Sequence, residues 1–272
     1  MNTLYLLLDK INKCSRVPVA LINTQYALMI EYRAEIVLWA ISGLLPLIML
    51  GIWQEAGISS VIGLNKAWLT RYFISAFVVR QFTAVWVMVT FEEDHLEGKL
   101  SPYLLQPLFT FWRYFSSHVA EQISRLPIVA IMLIFIFILN PDSIWFLGIF
   151  KYLVFIIALF SAFCVRFLLH WLFSMICFWN DRASAIERLL LIPYLFLSGL
   201  VAPLEAFPPS VKSIAMVTPF PYILSFPSKI LAGQDVDYFL GFMSLIIWSI
   251  ILFILSFFFW KKGVKVYSGM GL

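Results

Sequence analysis

The amino-acid sequence predicts an all-α polytopic membrane protein with six transmembrane helices, on three observations. Of its 272 residues, 62% are hydrophobic and 12% are charged, whereas soluble domains carry about 25% charged residues. The mean hydropathy is +0.93, which implies more apolar surface than a soluble domain can bury. The apolar residues run continuously rather than alternating, which favours helices of about 20 residues over a β-barrel.

An interfacial helix is expected before the first span. Residues 17–32 are compatible with a helix but too polar to cross a bilayer, so we expect them to lie on the membrane surface. The first span is predicted at residues 36–53, with a kink at Pro46. The second span is predicted at residues 67–91, after a short outer loop.

Four further spans complete the prediction. They are expected at residues 119–139, 149–178, 189–201 and 238–260. Between the last two, residues 202–234 hold six prolines and yet stay apolar. A segment too broken to span and too apolar for an ordinary loop predicts short helices that enter the membrane and return. Their backbone must be covered by protein or face water.

The basic residues set the orientation of the predicted helices. Of the 19 Lys and Arg, 11 fall in segments on the side of the two termini and four fall on the other side. Since cytoplasmic segments carry the excess of positive charge, both termini are expected in the cytoplasm.

The stretch FEEDHLEGKLSPYLLQPL, residues 91–108, follows the second span on the cytoplasmic side. It opens with acids and then carries leucines at helical spacing: Glu92, Glu93, Asp94, Glu97, Leu100, Leu104 and Leu105. One face of such a helix can pack on protein while the acids face water, so we predict a docking site for a partner. The alternative is a helix resting on the membrane, but anionic headgroups favour Lys and Arg.

Five ionisable side chains are predicted within the spans or at their edges: Arg80, Glu121, Arg125, Arg166 and His170. A charge at mid-membrane costs about 2.5–3.5 kcal/mol on insertion scales, so each needs a partner or water. Arg166 and His170 share a helix face, and Glu121 is expected within reach of Arg166. Two interpretations stay open: a water-filled pathway receptive to anionic headgroups, and structural ion pairs or snorkelling side chains. The second is preferred because most of these residues fall in the inner half of their spans.

Several classes of function lack their sequence signatures. There is no P-loop, no H-E-x-x-H and no G-x-S-x-G, and the three histidines have no carboxylate at catalytic spacing. The three cysteines lack metal-ligand spacing. The formal net charge of +4 is assigned to cytoplasmic flanks rather than to a nucleic-acid surface. We therefore expect no enzyme activity, bound cofactor, metal or nucleic-acid partner for this chain.

On this six-span scaffold, three stretches resemble the permease subunits of the ABC-2 type transporters, and among them the bacterial two-permease exporters. They are Glu31-Tyr32-Arg33-Ala34 with Leu38-Trp39, Glu97-Gly98-Lys99-Leu100 with Leu104-Leu105-Gln106-Pro107-Leu108, and Ser198-Gly199 with Pro203, Phe207-Pro208 and Pro219. They are similar to the family's passage into the first span, its coupling segment after the second, and its Gly…Pro…Pro signature before short re-entrant helices. Together they cover the chain at about the family's spacing.

The resemblance implies a permease that works with two cytosolic ATPase subunits and pairs with a second permease, either a copy of itself or a different chain. ATP and Mg²⁺ would bind the ATPases, which agrees with the missing P-loop. It also implies an exporter surrounded by lipid in the bacterial inner membrane. The residues that it assigns to the ATPase-coupling interface are Glu93, Glu97, Gly98, Leu100, Leu104, Leu105 and Pro107, and those of the re-entrant segment are Gly199, Pro203, Pro208 and Pro219.

Two other functions stay open on the sequence. An ion-coupled secondary transporter would usually show acids at mid-membrane and repeat-paired broken helices, and neither is visible. A purely structural anchor would not explain both a docking stretch and a re-entrant segment. The chain is taken as one permease domain, with a cytoplasmic or interfacial N-terminus (1–33), six spans (34–260) and a cytoplasmic tail (261–272). Nothing in the spans selects among a lipid, a glycan, a peptide or a drug-like substrate.

Overall fold

The computed structural model describes residues 18–55, 65–180 and 182–267. It is 82% helical, and the described residues contain no strand, so the all-α prediction is confirmed. The predicted N-terminal region up to residue 17, most of the first outer loop and the last residues of the tail lie outside the described residues.

The helices follow one another with short connections. In chain order they are α1 (residues 18–31), α2 (Arg33–Ser42), α3 (Leu45–Glu55), α4 (Lys66–Thr83), α5 (Val87–Leu96), α6 (Leu100–Leu104), α7 (Thr110–Leu139), α8 (Ile149–Ser174), α9 (Cys177–Asn180), α10 (Ser184–Leu197), α11 (Pro209–Val217), α12 (Phe220–Ile223), α13 (Ser225–Leu231) and α14 (Tyr238–Val266). Single turns of 3-10 helix lie at Pro141–Ser143 and Leu204–Ala206.

Five helical stretches are long and apolar enough to cross a membrane, namely Ala34–Glu55, Lys66–Leu96, Thr110–Leu139, Ile149–Asn180 and Tyr238–Val266. They coincide with the predicted first, second, third, fourth and sixth spans. Large apolar side chains cover their outer surface, and Phe150 and Phe239 are 73% and 77% exposed. Such a surface is suited to lipid rather than water, and the chain is a multi-pass membrane protein.

The first span is kinked, as predicted. The helix breaks at Gly43, and Pro46 follows as the second residue of α3, where a missing backbone N–H leaves no intrahelical bond unmade. The Gln81 side chain enters the break and donates to the Ala40 carbonyl at 2.8 Å. A Cβ atom on residue 43 would overlap that amide, so glycine is needed for the close approach of α4.

The second span is interrupted between α4 and α5, which the sequence did not predict. The backbone is non-helical at residues 84–86, and the Trp86 N–H donates to Nε2 of His118 at 2.9 Å. Since Nε2 accepts, the ring proton lies on Nδ1 and is donated to the Tyr114 carbonyl at 2.8 Å. A neutral histidine from α7 therefore satisfies the amide that the break would leave unpaired.

The predicted fifth span, residues 189–201, has different bounds and is shorter than a full crossing. The helix is α10, with 14 residues, which span about 21 Å at 1.5 Å per residue against a hydrocarbon core of about 30 Å. It ends before Gly199, whose φ of +88° stops the helix. The described residues thus contain five full-length spans.

The proline-rich segment forms a bent pair of helices, in agreement with the predicted re-entrant segment. Helix α11 meets the stretch Phe220–Leu231 at 76°, which is the geometry of a broken span or a re-entrant loop. Pro208 and Pro219 precede the two limbs, and Pro203 precedes the 3-10 turn at Leu204–Ala206, which comes before the first limb. The second limb is buried against α4, α8 and α14, so protein covers its irregular backbone as the bilayer requires.

A cluster of buried aromatic side chains fills the end of the bundle that carries residues 91–108. We call it the inner aromatic cluster, and its members include Phe91, Tyr114, Phe167, Trp171 and Phe178. The Phe91 ring meets Trp171 and Phe178 edge to face, both with centroids 5.6 Å apart, the arrangement that aromatic pairs prefer. This tightly packed cluster provides rigid support for residues 91–108.

Candidate functional site

The predicted docking stretch is not one amphipathic helix but two helices joined by a turn. Helix α5 ends at Leu96, Gly98 adopts a φ of +73°, and α6 begins at Leu100. A positive φ is readily adopted only by glycine, so Gly98 redirects the chain across the end of the bundle. An extended loop follows α6 and leads into α7.

Burial divides the predicted coupling leucines. Leu100 is fully buried in the inner aromatic cluster, so its assignment to a partner interface is wrong in this structure. Leu104 is partly buried against the same cluster. Leu105 is 88% exposed. Two leucines therefore anchor the turn, and one is presented outward.

Four of the predicted coupling residues are exposed, and we call them together the docking surface. They are Glu93, Glu97, Leu105 and Pro107. Glu97 pairs with Lys99, and this hydrogen bond with the carboxylate raises the pKa of the lysine. Because both side chains are more than half exposed, water screens the pair and it adds little to stability.

The expectation that all four acids face water is wrong for two of them. The Glu92 carboxylate accepts hydrogen bonds from the backbone N–H groups of Ala183 and Ser184 at 2.7 and 2.6 Å. Asp94 accepts a hydrogen bond from the Tyr114 hydroxyl at 2.7 Å. Glu92 thus caps the N-terminus of α10, where free amides and the helix dipole favour an anion. Helix α5, which carries Glu93 of the docking surface, is thereby hydrogen-bonded to the N-terminus of α10.

Replacing Glu92 by glutamine is expected to lower the thermal stability of the protein. Loss of a helix cap costs about 1 kcal/mol, and the amide side chain would bring neither the charge nor the second acceptor oxygen. Glu93→Gln is the matched control, because Glu93 is exposed. The temperature at which half the detergent-solubilised protein aggregates should fall for Glu92→Gln alone. Equal values for the two variants would contradict the capping role.

A cavity of about 970 Å³ lies between α2, α4, α5, α7, α8 and α10, and α12 closes its deep end. Four of the five predicted intramembrane ionisable residues line it: Arg80, Glu121, Arg166 and His170. Glu93 of the docking surface lines it as well, together with Ser184 and Glu187 from the first turn of α10. The structure therefore brings together side chains that the sequence placed on three separate spans.

The fifth predicted residue, Arg125, lies behind the cavity wall. It is 2% exposed, forms an ion pair with Glu121 and donates from Nη1 to the Gln81 carbonyl at 3.2 Å. The expected pairing of Glu121 with Arg166 is therefore wrong, because the partner one helical turn along α7 takes the carboxylate. The ion pair agrees with the structural interpretation of these two residues.

Arg166 is held differently. Its guanidinium carbon lies 4.1 Å from the centroid of the Tyr194 ring, a cation–π contact. Its Nε and Nη1 atoms are buried without an acceptor, as is Nδ1 of His170. Buried donors are usually paired, so two residues that line the cavity carry polar atoms whose hydrogen bonding is incomplete.

The sequence did not predict the structural roles of Glu92, His118 and Tyr194. Each acts on a residue far along the chain, and the Glu92 bond to Ser184 spans 92 positions. No local pattern encodes such a contact. No group of three or more His, Cys, Asp or Glu in the described part of the chain is arranged to hold a metal ion.

Comparison with known proteins gives one family. Residues 47–271 match the family model described as ABC-2 family transporter protein. The match begins within α3 and so includes the docking surface, the bent helix pair and every cavity-lining residue except those of α1, α2 and Tyr32. No curated protein matches the sequence.

Proposed function

The chain belongs to the ABC-2 family of transporter proteins, and from that premise we propose that it is the membrane-spanning permease subunit of an ATP-driven exporter. It forms the substrate pathway together with a second permease, either a copy of itself or a different chain. The observation that carries the proposal is the family match over most of the chain. The cavity that opens beside the docking surface supports it.

ATP hydrolysis is assigned to separate cytosolic ATPase subunits. The 272 residues contain no P-loop to hold the phosphates of ATP, so ATP and Mg²⁺ would bind the partner. The chain itself is a transport subunit and not an enzyme. The location that we propose is the bacterial inner membrane, as the resemblance to bacterial exporters implies. The charge bias of the sequence supports an orientation with both termini in the cytoplasm.

The docking surface is proposed as the contact for the ATPase. Leu105 offers an apolar side chain without an internal contact to lose, and Glu93 and Glu97 offer carboxylates to basic residues of the partner. The inner aromatic cluster beneath them resists compression, since packed interiors transmit strain. A displacement of the docking surface by the ATPase therefore moves whole helices rather than deforming side chains.

The hydrogen bonds of Glu92 suggest how this motion reaches the cavity. Glu92 follows the buried Phe91 in α5 and holds the N-terminus of α10. Helix α10 carries Glu187 and Tyr194, which line the cavity. A displacement of α5 by the ATPase is thus passed to the cavity wall through one carboxylate.

A pull-down from native membranes tests this proposal. The tagged chain is purified in a mild detergent, and mass spectrometry identifies the proteins that accompany it. We expect a P-loop ATPase in stoichiometric amount, together with a second permease if the dimer is heteromeric. If no ATPase accompanies the chain in several detergents, the ATP-driven function is wrong and the ion-coupled alternative is tested by proton- or sodium-driven transport in liposomes.

A further inference from the structure

The deep end of the cavity holds two guanidinium groups without a carboxylate partner. Arg80 comes from α4 and Arg166 from α8, and both line the cavity. Within residues 18–55, 65–180 and 182–267 neither forms an ion pair, whereas Arg125 is paired with Glu121. Arg125, which is ion-paired, therefore lies outside the cavity lining, whereas Arg80 and Arg166, which are not ion-paired, line the cavity.

These arginines lie within the membrane-spanning helices, where a cation without a carboxylate partner is unfavourable. Arg166 lies about 12 Å along α8 from its end at Ser174, inside the apolar bundle. An uncompensated cation at such a depth is unfavourable and is normally paired or in a wet cavity that serves function. The face of Tyr194 compensates the charge only in part and leaves Nε and Nη1 of Arg166 without an acceptor.

The carboxylates that line the cavity do not cancel this charge. Glu121 is neutralised by Arg125. Glu93 ends the cavity at the docking surface, and Glu187 lies in the first turn of α10. Glu35 is the fourth carboxylate that lines the cavity. Among the described residues, none of the four is within ion-pair distance of Arg80 or Arg166, so both guanidinium groups line the cavity without a direct ion-pair partner.

The remaining walls are suited to an apolar body. Ile36, Trp39, Leu169, Leu190 and Ile223 line the cavity, and its volume of about 970 Å³ is at the upper end of the usual range for ligand pockets, about 300–1,000 Å³. Tyr32, which follows α1, also lines it. A ligand can thus place a charged group at the arginines while its apolar part contacts these walls.

We propose that Arg80 and Arg166 bind a phosphate or carboxylate group carried on an apolar body, so that the transported substrate is an anionic amphiphile. Transport of this ligand rests on the proposed function, whereas its binding does not. A guanidinium matches such oxyanions through paired N–H donors. Arg166 can present such a pair through Nη2 with either Nε or Nη1, and both of these atoms lack an acceptor.

The test measures binding to the purified permease without any ATPase. The chain is purified in dodecyl maltoside, and saturable binding of radiolabelled dodecyl phosphate is measured, so that the detergent and the probe share one alkyl chain and differ in charge. Arg166→Met and Arg80→Met are each expected to weaken binding about tenfold or more. Arg166→Lys should lose less, because it keeps the positive charge.

Arg71→Met is the matched control. Arg71 lies on α4 like Arg80 but faces a different cavity, with its guanidinium 5.9 Å from the Trp145 ring. Its removal should leave binding unchanged, and Glu187→Gln should not weaken it. If Arg166→Met fails to fold, Arg80→Met and Arg166→Lys still decide the outcome.

The outcomes separate the parts of the proposal. Binding that is absent, or equal in wild type, Arg166→Met and Arg80→Met, overturns the anion site. Competition by inorganic phosphate as effective as that by unlabelled dodecyl phosphate keeps the anion site but overturns the apolar body. Dodecyl phosphate binding in a chain that copurifies with no ATPase would sustain the site while refuting the exporter, so the two failures are distinguishable.

Discussion

Replacing Leu105 by aspartate is expected to separate the permease from its ATPase while leaving it folded in the membrane. The side chain is 88% exposed, so the folded chain loses no internal contact. In the complex, a buried leucine contributes about 1.5–3 kcal/mol, and an unpaired carboxylate in its place adds a desolvation penalty. Since about 1.4 kcal/mol is tenfold in affinity, the affinity for the ATPase should fall at least about tenfold, and less ATPase should copurify.

Leu105→Met is the matched control for this variant. Methionine keeps the apolar surface, so the amount of ATPase per permease should stay at the wild-type level. Membrane insertion and the gel-filtration profile of both variants should match those of the wild type. Undiminished ATPase recovery and transport with Leu105→Asp would show that the docking surface is elsewhere.

Leu104 is less suitable for this experiment. Its side chain packs on the inner aromatic cluster, so an aspartate there would disturb the fold as well as any partner. A loss of ATPase binding in that variant would have two explanations. Leu105 is exposed, so a loss of binding in the Leu105→Asp variant is not explained by a disturbed fold.

Replacing Gly199 by alanine is expected to cause the largest loss of folded protein. The residue has a φ of +88°, a conformation that costs about 1–2 kcal/mol for a residue with a Cβ atom. That atom would overlap the Tyr72 hydroxyl and lie 3.3 Å from Cβ of Ser225. The Tyr72 hydroxyl donates to the Gly199 carbonyl at 2.8 Å in the buried core. Domains are stable by only about 5–15 kcal/mol, so the yield of monodisperse protein should drop severely.

Two further variants isolate the cause. Gly51 lies in α3, and no atom lies within 4 Å of the place that an alanine Cβ would occupy there, so Gly51→Ala should be neutral or stabilising by about 0.5–1 kcal/mol. Combining Gly199→Ala with Tyr72→Phe removes the overlapping hydroxyl but not the positive φ, so it should restore the yield only in part. A normal yield of Gly199→Ala alone would show that this turn tolerates a side chain.

The sequence by itself determined the all-α class, five of the six predicted spans and the bend of the proline-rich segment. These features depend on local properties. A bilayer selects continuous apolar segments of sufficient length, and proline removes a backbone donor wherever it occurs. The break near Pro46 lies at Gly43, where the Gln81 side chain enters, so its exact place was not determined by the proline. The sequence also placed the ionisable residues within the spans, although not their partners.

Only the tertiary structure decided what those residues do. Leu100 and Leu105 lie at the two ends of α6, and Leu100 is buried while Leu105 is exposed. Five residues of helix rotate the side chain by about 140°, and the packing of α6 on the inner aromatic cluster decides which of the two is covered. Glu92 caps a helix 91 positions away, and Glu121 pairs with Arg125 rather than with Arg166. Burial and charge pairing depend on which helices meet, and hydropathy along one segment carries no information about its neighbours.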